Sequence, residues 1–429
     1  MRLRAETVFS GTRHTQYPWQ CMEPPMHTTG DFPEDGRGGD GGGLARRSIL
    51  QGLAGAALLG ASCSRVMAAP PGINTDSDPL AGWQGLPNAA HYSDPRVRAL
   101  AYAILAPNVQ NLQPWMVRLV GDDSLLVFAD LSRRLPVSDP PDRQLTVSFG
   151  TFTELMCVGA SVDGYRLEIK PFPNGAGTAM LDTRPIVAIR FVRDATVQPD
   201  PLVEHVLTRS TNRLPFDPTV RVTAEQIDKL RAQAIRSGLL QGTADPAFAK
   251  RIRDIARKAF LLEMSTAGVR RELVNLTRIG KAELSSYRWG PALLGPAVEA
   301  AIADGSMTRA SLDDVTSARY RAGVESYLGA VDTGQAYFWI ATANNKRESM
   351  FEAGREWARL HLGVTSIGLK LQPHSQALHD YPEIAELKTQ LHDLLGVSPP
   401  ARIQMLGRVG AAAVAPHSPR EAISWRLLA

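Results

Sequence analysis

Two glycine triplets in one register constrain this chain more than any other feature. Gly150, Gly159 and Gly164 are separated by nine and five residues, and Gly354, Gly363 and Gly368 repeat those separations. Each triplet lies on a stretch of helical apolar spacing that stops at its last glycine. A short extended run follows each, at residues 165–169 and 369–372, and then a proline, Pro171 or Pro373. Glycine inside a helix costs helix propensity and lets another backbone approach closely. Glycine is common here, with 36 residues, so coincidence is the competing reading. The shared register, helix stop and following proline favour a duplicated unit. The expectation is a linker at 70–85 and two related halves, 86–200 and 201–429, with a helical insertion at about 245–330 in the second.

Local patterns fill in the halves. Asp94-Pro95 suits a helix start, since aspartate caps and proline fits the first turn. That helix is expected to end before Pro107. Residues 115–120 and 125–128 read as strands around a Gly-Asp-Asp-Ser turn, residues 144–163 as a helix, and 165–170 and 186–192 as strands. Residues 201–208 read as helical. Residues 254–279 carry apolar positions at helical spacing and have no counterpart in the first half.

The first 69 residues read as an address. A polar, glycine-rich stretch at 30–43 has no means of packing a core. Then come Arg46-Arg47, a short apolar run from Ile49 to about Ser62, and Val66 and Ala68 before a cut after Ala69. That order resembles a bacterial twin-arginine export signal, which implies passage through the twin-arginine machinery and a periplasmic or external location. Met22 or Met26 is an alternative start, and Cys63 an alternative lipid-attachment site. After the cut only Cys157 remains, so no internal disulfide is expected. No stretch reads as a membrane span in the mature chain. A net charge of +4 is too small for a nucleic-acid-binding face.

Two segments carry chemistry. Ala106-Pro107-Asn108-Val109-Gln110-Asn111-Leu112-Gln113-Pro114-Trp115 joins a helix end to a strand. Its prolines fix the turn, and its amides suit either a flat polar heterocycle or the loop's own backbone. Arg209-Ser210-Thr211-Asn212-Arg213 sets two guanidinium groups around hydroxyls and an amide, either an anion site or an exposed basic loop. No complete dinucleotide fingerprint, Walker loop, HExxH or GxSxG motif is present, and the scattered histidines suggest no metal site.

Together the segments resemble the FMN motifs of the nitroreductase family. The resemblance implies an α+β, nitroreductase-like fold of two fused halves forming a pseudo-dimeric monomer, each half a mainly antiparallel sheet packed by helices. It implies that Arg209, Thr211 and Arg213 meet an FMN phosphate, with Arg420 as a further basic residue. Pro107, Asn108, Val109 and Asn111 would line the flavin, with the backbone of Gln372 and Pro373 against it. The layout is similar to the duplicated, Acg-like branch. The implied activity is flavin-dependent reduction of a small nitroaromatic, quinone or similar acceptor. The alternative is an FMN store with little turnover. No catalytic side chain is assigned. Val109 stands where the family usually has serine, so one side-chain hydrogen bond is missing.

Overall fold

In a computed structural model, which describes residues 78–177 and 179–428, the two glycine-bearing helices cross each other. The stretch read as an export signal, with Cys21 and Cys63, and residues 70–77 lie outside the described part. α1 (Ala81–Gly85) falls in the stretch read as a linker, and the first half contains α2 (Pro95–Ala103), β1 (Trp115–Val120), β2 (Ser124–Ala129), α3 (Arg143–Val162), β3 (Tyr165–Pro171) and β4 (Val187–Arg193). The second contains α4 (Ala224–Arg231) and β5 (Leu240–Thr243). Six helices follow: α5 (Pro246–Ser265), α6 (Ala267–Leu276), α7 (Gly280–Ser286), α8 (Pro296–Ala303), α9 (Arg309–Asp313) and α10 (Ala318–Val331). A small parallel pair, β6 (Arg278–Ile279) and β7 (Ala292–Leu293), lies among them. The chain then resumes with β8 (Ala336–Thr342), α11 (Arg347–Ser366), β9 (Lys370–Pro373), α12 (Ala385–Leu394) and β10 (Arg402–Gly410).

The two main sheets have the orders β1-β2-β4-β3 and β5-β8-β10-β9, and every neighbouring pair is antiparallel. The orders are the same once the six helices between β5 and β8 are set aside. In the first half a tight turn at Gly121 makes that connection. This is an α+β fold of two fused halves.

The crossing explains the glycines. A Cβ on Gly150 would overlap the Phe351 carbonyl oxygen and lie 2.9 Å from Gly354 Cα. A Cβ on Gly354 would overlap the Val147 carbonyl oxygen and lie 2.9 Å from Gly150 Cα. Gly159 packs on Tyr102 of α2 and Gly363 on Leu230 at the end of α4, so the second glycines also play matching parts. Gly164 and Gly368 follow the helices with φ of +69° and +76°, a left-handed ending that favours glycine. Each half completes its core with the other's helix: Phe351, Ala358 and Leu362 join the first cluster, and Val147 the second.

Two expectations are corrected. Residues 201–205 form a short 3-10 turn, not a helix to 208. Residues 254–279 do not form one helix, because extended backbone at Thr266 separates α5 from α6. The expectation of no membrane-length stretch is also refined: α3 is long and apolar enough to cross a membrane, but it is buried between the halves. The carboxy-terminal tail crosses back to the first half, where Leu427 bridges to Val117 in parallel.

Candidate functional site

The 106–115 loop enters the cleft between the halves in an unusual conformation. Gln110, Asn111 and Gln113 all have positive φ, at 43°, 52° and 49°. Non-glycine residues enter that region only when their surroundings over-determine it. The Asn108 carboxamide oxygen accepts from Gln113 N at 2.8 Å, and its Nδ2 donates to Ala106 O at 3.0 Å. From α3, Thr151 Oγ1 donates to Pro107 O at 2.6 Å, and Ser148 Oγ accepts from Val109 N at 3.0 Å. Val109 thus contributes its backbone amide to the loop's anchoring. The tail adds Arg420, whose Nη2 donates to Ala106 O at 3.0 Å and whose Nη1 bonds Asn111 Oδ1.

The Arg209–Arg213 segment runs beside β9. Thr211 bridges to Leu371, and Asn212 N donates to Leu371 O at 3.0 Å. That pairing faces the segment toward the 106–115 loop. Between them lies a small cavity lined by Arg209, Arg213, Arg420, His417, Ser418 and Trp83, together with Pro107, Asn108, Asn111, Ser210, Thr211 and Pro416. Among the described residues, no carboxylate lines it.

Its electrostatics suit an anion. Arg209 is buried, and its Nη2 donates to Leu105 O at 2.6 Å. Its Nε and the Ser210 hydroxyl are buried without a partner, and so is His417 Nδ1. Burial pulls the Arg209 guanidinium down to about 10, leaving it charged at neutral pH. Burial first, then Arg209 and Arg420, lowers His417. Such orphaned donors are rare in protein interiors and need a partner.

Pro107, Asn108, Thr211 and Arg213 also line a second, larger cavity, so the two adjoin. The larger one holds about 1260 Å³ of empty space, open solvent at its mouth included. Its walls include Gln144, Val147, Ser148 and Thr151 of α3, and Trp357, Pro373 and Met405 from the second half. Gln144 Nε2 is another buried donor without a partner. The helices between β5 and β8 cover it with Phe260, Glu263 and Met264 from α5, Leu273 from α6, and Gly323 and Tyr327 from α10. Phe260 and Tyr327 stack at 3.9 Å. Gly290 N donates to Asn111 O at 2.7 Å, tying this cover to the loop.

The structure therefore brings together nine of the ten site residues read from sequence. Gln372, expected there through its backbone, is the tenth. It lines neither cavity, and its Oε1 accepts from Arg408 Nε at 2.7 Å. The buried Arg408 guanidinium needs that acceptor, so the amide is committed to the core. Sequence reasoning missed Gln144, Ser148, Thr151, Trp357 and the residues of the cover. The α3 residues sit within a helical turn or two of Gly150, so the glycine register was the available signal for them. Nothing local marked Phe260, Glu263 or Tyr327.

No family model matches the sequence, and no curated protein matches it. Among solved structures, the chain is similar to the FMN-dependent nitroreductase NfnB from Mycobacterium smegmatis. Identity there is 18% and the TM-score 0.33, over 52% of this chain and 96% of that one. A nitroreductase-like family protein from Bacillus cereus matches at 12% identity and TM-score 0.30, over 55% and 98%. An iodotyrosine deiodinase, solved with FMN and 3-iodo-L-tyrosine, matches at 14% identity and TM-score 0.28, over 51% and 94%.

Proposed function

We propose that this chain is a nitroreductase-like, FMN-binding oxidoreductase for nitroaromatic, quinone or similar small acceptors. The observation that carries this is the arginine-lined cavity, without a carboxylate among the described residues, adjoining a larger and mainly apolar one through four shared wall residues. The small cavity fits a terminal phosphate: Arg209, Arg213 and Arg420 supply charge, and Ser210 an unpaired hydroxyl. Gln144 and the 106–113 loop face the volume that a flat ring system would take. FMN supplies the redox chemistry at its N5 when bound. The protein's residues bind and orient it, and α5 and α10 exclude water.

The identical sheet orders and matched glycines support a duplicated, Acg-like arrangement in one pseudo-dimeric chain. Export by the twin-arginine route, with FMN inserted before passage, remains part of this proposal and rests on the sequence of residues 45–69. The second reading is an FMN store. The stacked cover over the cavity favours it.

One experiment tests both. The mature chain is purified, its flavin spectrum recorded, and it is mixed anaerobically with NADH, NADPH or dithionite. Rapid bleaching by a nucleotide supports turnover. Bleaching by dithionite alone supports storage or a different donor. A colourless protein that does not take up FMN overturns both readings.

A further inference from the structure

Glu263 is the sole carboxylate among the described residues lining either cavity. It is carried in by α5, from the segment that the first half lacks, and is only 3% exposed. Its nearest charged-type neighbour is His379 Nδ1 at 3.6 Å. Among the described residues, no arginine or lysine forms an ion pair with it. A carboxylate so buried, with no cation beside it, is expected to hold its proton.

The surrounding groups agree. Gln376 lies beside Glu263, and its Nε2 donates to Tyr327 OH at 3.2 Å. Glu272 adds to the negative side of the local field. Glu272 itself is engaged by the Val137 and Ser138 amides and the Ser138 hydroxyl. Burial raises the Glu263 carboxyl to about 7, with Gln376 opposing and Glu272 adding to the rise. Burial, then Arg143, pushes His379 down to about 3. The 3.6 Å pair thus has ion-pair spacing without being an ion pair near pH 7. Burial and Glu263 raise Tyr327 to about 12, against the pull of Arg213 and Arg408. Burial, then Glu263, raises Tyr381 as well. Of the groups facing Glu263 whose titration is displaced, none but Glu263 itself changes charge between pH 5.5 and 8.5.

We propose that Glu263 is the acceptor-binding acid of the larger cavity: its carboxylic O–H donates a hydrogen bond to a nitro or quinone oxygen of a flat, uncharged aromatic held against Phe260 and Tyr327. This rests on the redox reading above but concerns a different part of the cavity from the arginines. The aromatic walls supply the apolar contact and the carboxyl supplies orientation. Once ionised, the same group repels an electron-rich oxygen, so binding weakens as pH rises.

The test uses nitrobenzene, which has no titratable group, and the mature chain loaded with FMN but given no reductant. Equilibrium dialysis measures its affinity at pH 5.5, 7 and 8.5. The wild type should lose about fivefold or more across that range, the scale of one hydrogen bond to a neutral acceptor. Glu263→Gln keeps a donor and should bind with a flat pH profile. Glu263→Ala should be flat and weak throughout. A flat wild-type profile, or a pH step that survives in Glu263→Gln, overturns the proposal. The same titration on flavin-free chain separates the two readings. A pH step there, in a protein that takes up no FMN, sinks the cofactor reading and keeps Glu263. Thermal melts of each variant check folding.

Discussion

Replacing Arg209 by methionine separates phosphate recognition from folding because the two effects have different sizes here. Burial pulls the guanidinium from 12.5 to about 10, an uncompensated charge cost of about 3 kcal/mol in the unliganded protein. Methionine removes that cost. It also strips Leu105 O of the 2.6 Å bond from Nη2, and orphaning a buried carbonyl costs about 1–3 kcal/mol. These nearly cancel, so the melting temperature without ligand should move by no more than a few degrees. The phosphate contact has no such offset. One charge-assisted hydrogen bond contributes about 1.5–3 kcal/mol, so the Kd for FMN should rise roughly 10- to 150-fold. Riboflavin, lacking the phosphate, is the internal control, and its affinity should stay within about twofold of wild type. Both are read by fluorescence titration. Equal losses for FMN and riboflavin would mean that Arg209 only shapes the loop, and the anion-site argument would fail.

Two further outcomes follow from the scaffold. Gly354→Ala should destabilise by about 3 kcal/mol, the top of the overpacking range, because its Cβ meets the α3 backbone at Val147 and Gly150. Gly329→Ala on α10, where a Cβ meets nothing within 4 Å, should gain about 0.4–1 kcal/mol; denaturant melts that show equal effects would refute the crossing argument. Asp380 governs acid stability. Burial raises its carboxyl, but Arg143, Arg402 and Lys388 outweigh that and hold it at about 2 instead of 3.8. A lowered carboxyl stabilises above its unfolded value, and the effect is lost as pH falls toward 2, here about 2 kcal/mol. Asp380→Asn should therefore lower stability at pH 7 and flatten its decline between pH 5 and 2 in thermal melts.

What was legible in the sequence were features tied to backbone geometry. The glycine triplets exposed the helix crossing because only glycine permits carbonyl contact at Gly150 and Gly354. The proline-bracketed loop and the arginine segment were readable as short stretches of unusual composition, and they do meet in the cleft. Gln372 was expected beside the ring through its backbone, and its side chain turns to Arg408, because successive residues on a strand face opposite sides. The cover was illegible for a different reason. Phe260, Glu263 and Tyr327 occupy ordinary amphipathic positions on α5 and α10, and tertiary packing alone decides that they overhang a cavity.

The internal symmetry raises the question of a second cavity, and the residues around the crossing answer it. Thr151 follows Gly150 and lines the cleft. Arg355 follows Gly354 in the matching place, but its guanidinium contacts Glu154 at 2.9 Å. One turn on, where the first half has Leu155, Arg359 reaches Glu154 at 3.1 Å and Asp200 at 2.7 Å. The loop between α4 and β5, which corresponds to the 106–115 loop, is held down by Glu356, which accepts from Ile235 N at 2.9 Å and Arg236 N at 2.6 Å. The mirror position is thus filled by a paired, partly buried charge network, and opening it would strand Glu154, which is costly. The chain should bind one FMN. Flavin released by heat and measured by absorbance against protein mass should give one equivalent in the wild type. Arg209→Met combined with Arg213→Met should lower it well below one under the same loading. Two equivalents in the wild type, or an undiminished one in the double variant, would place flavin on the mirror side and refute the argument from the charge network.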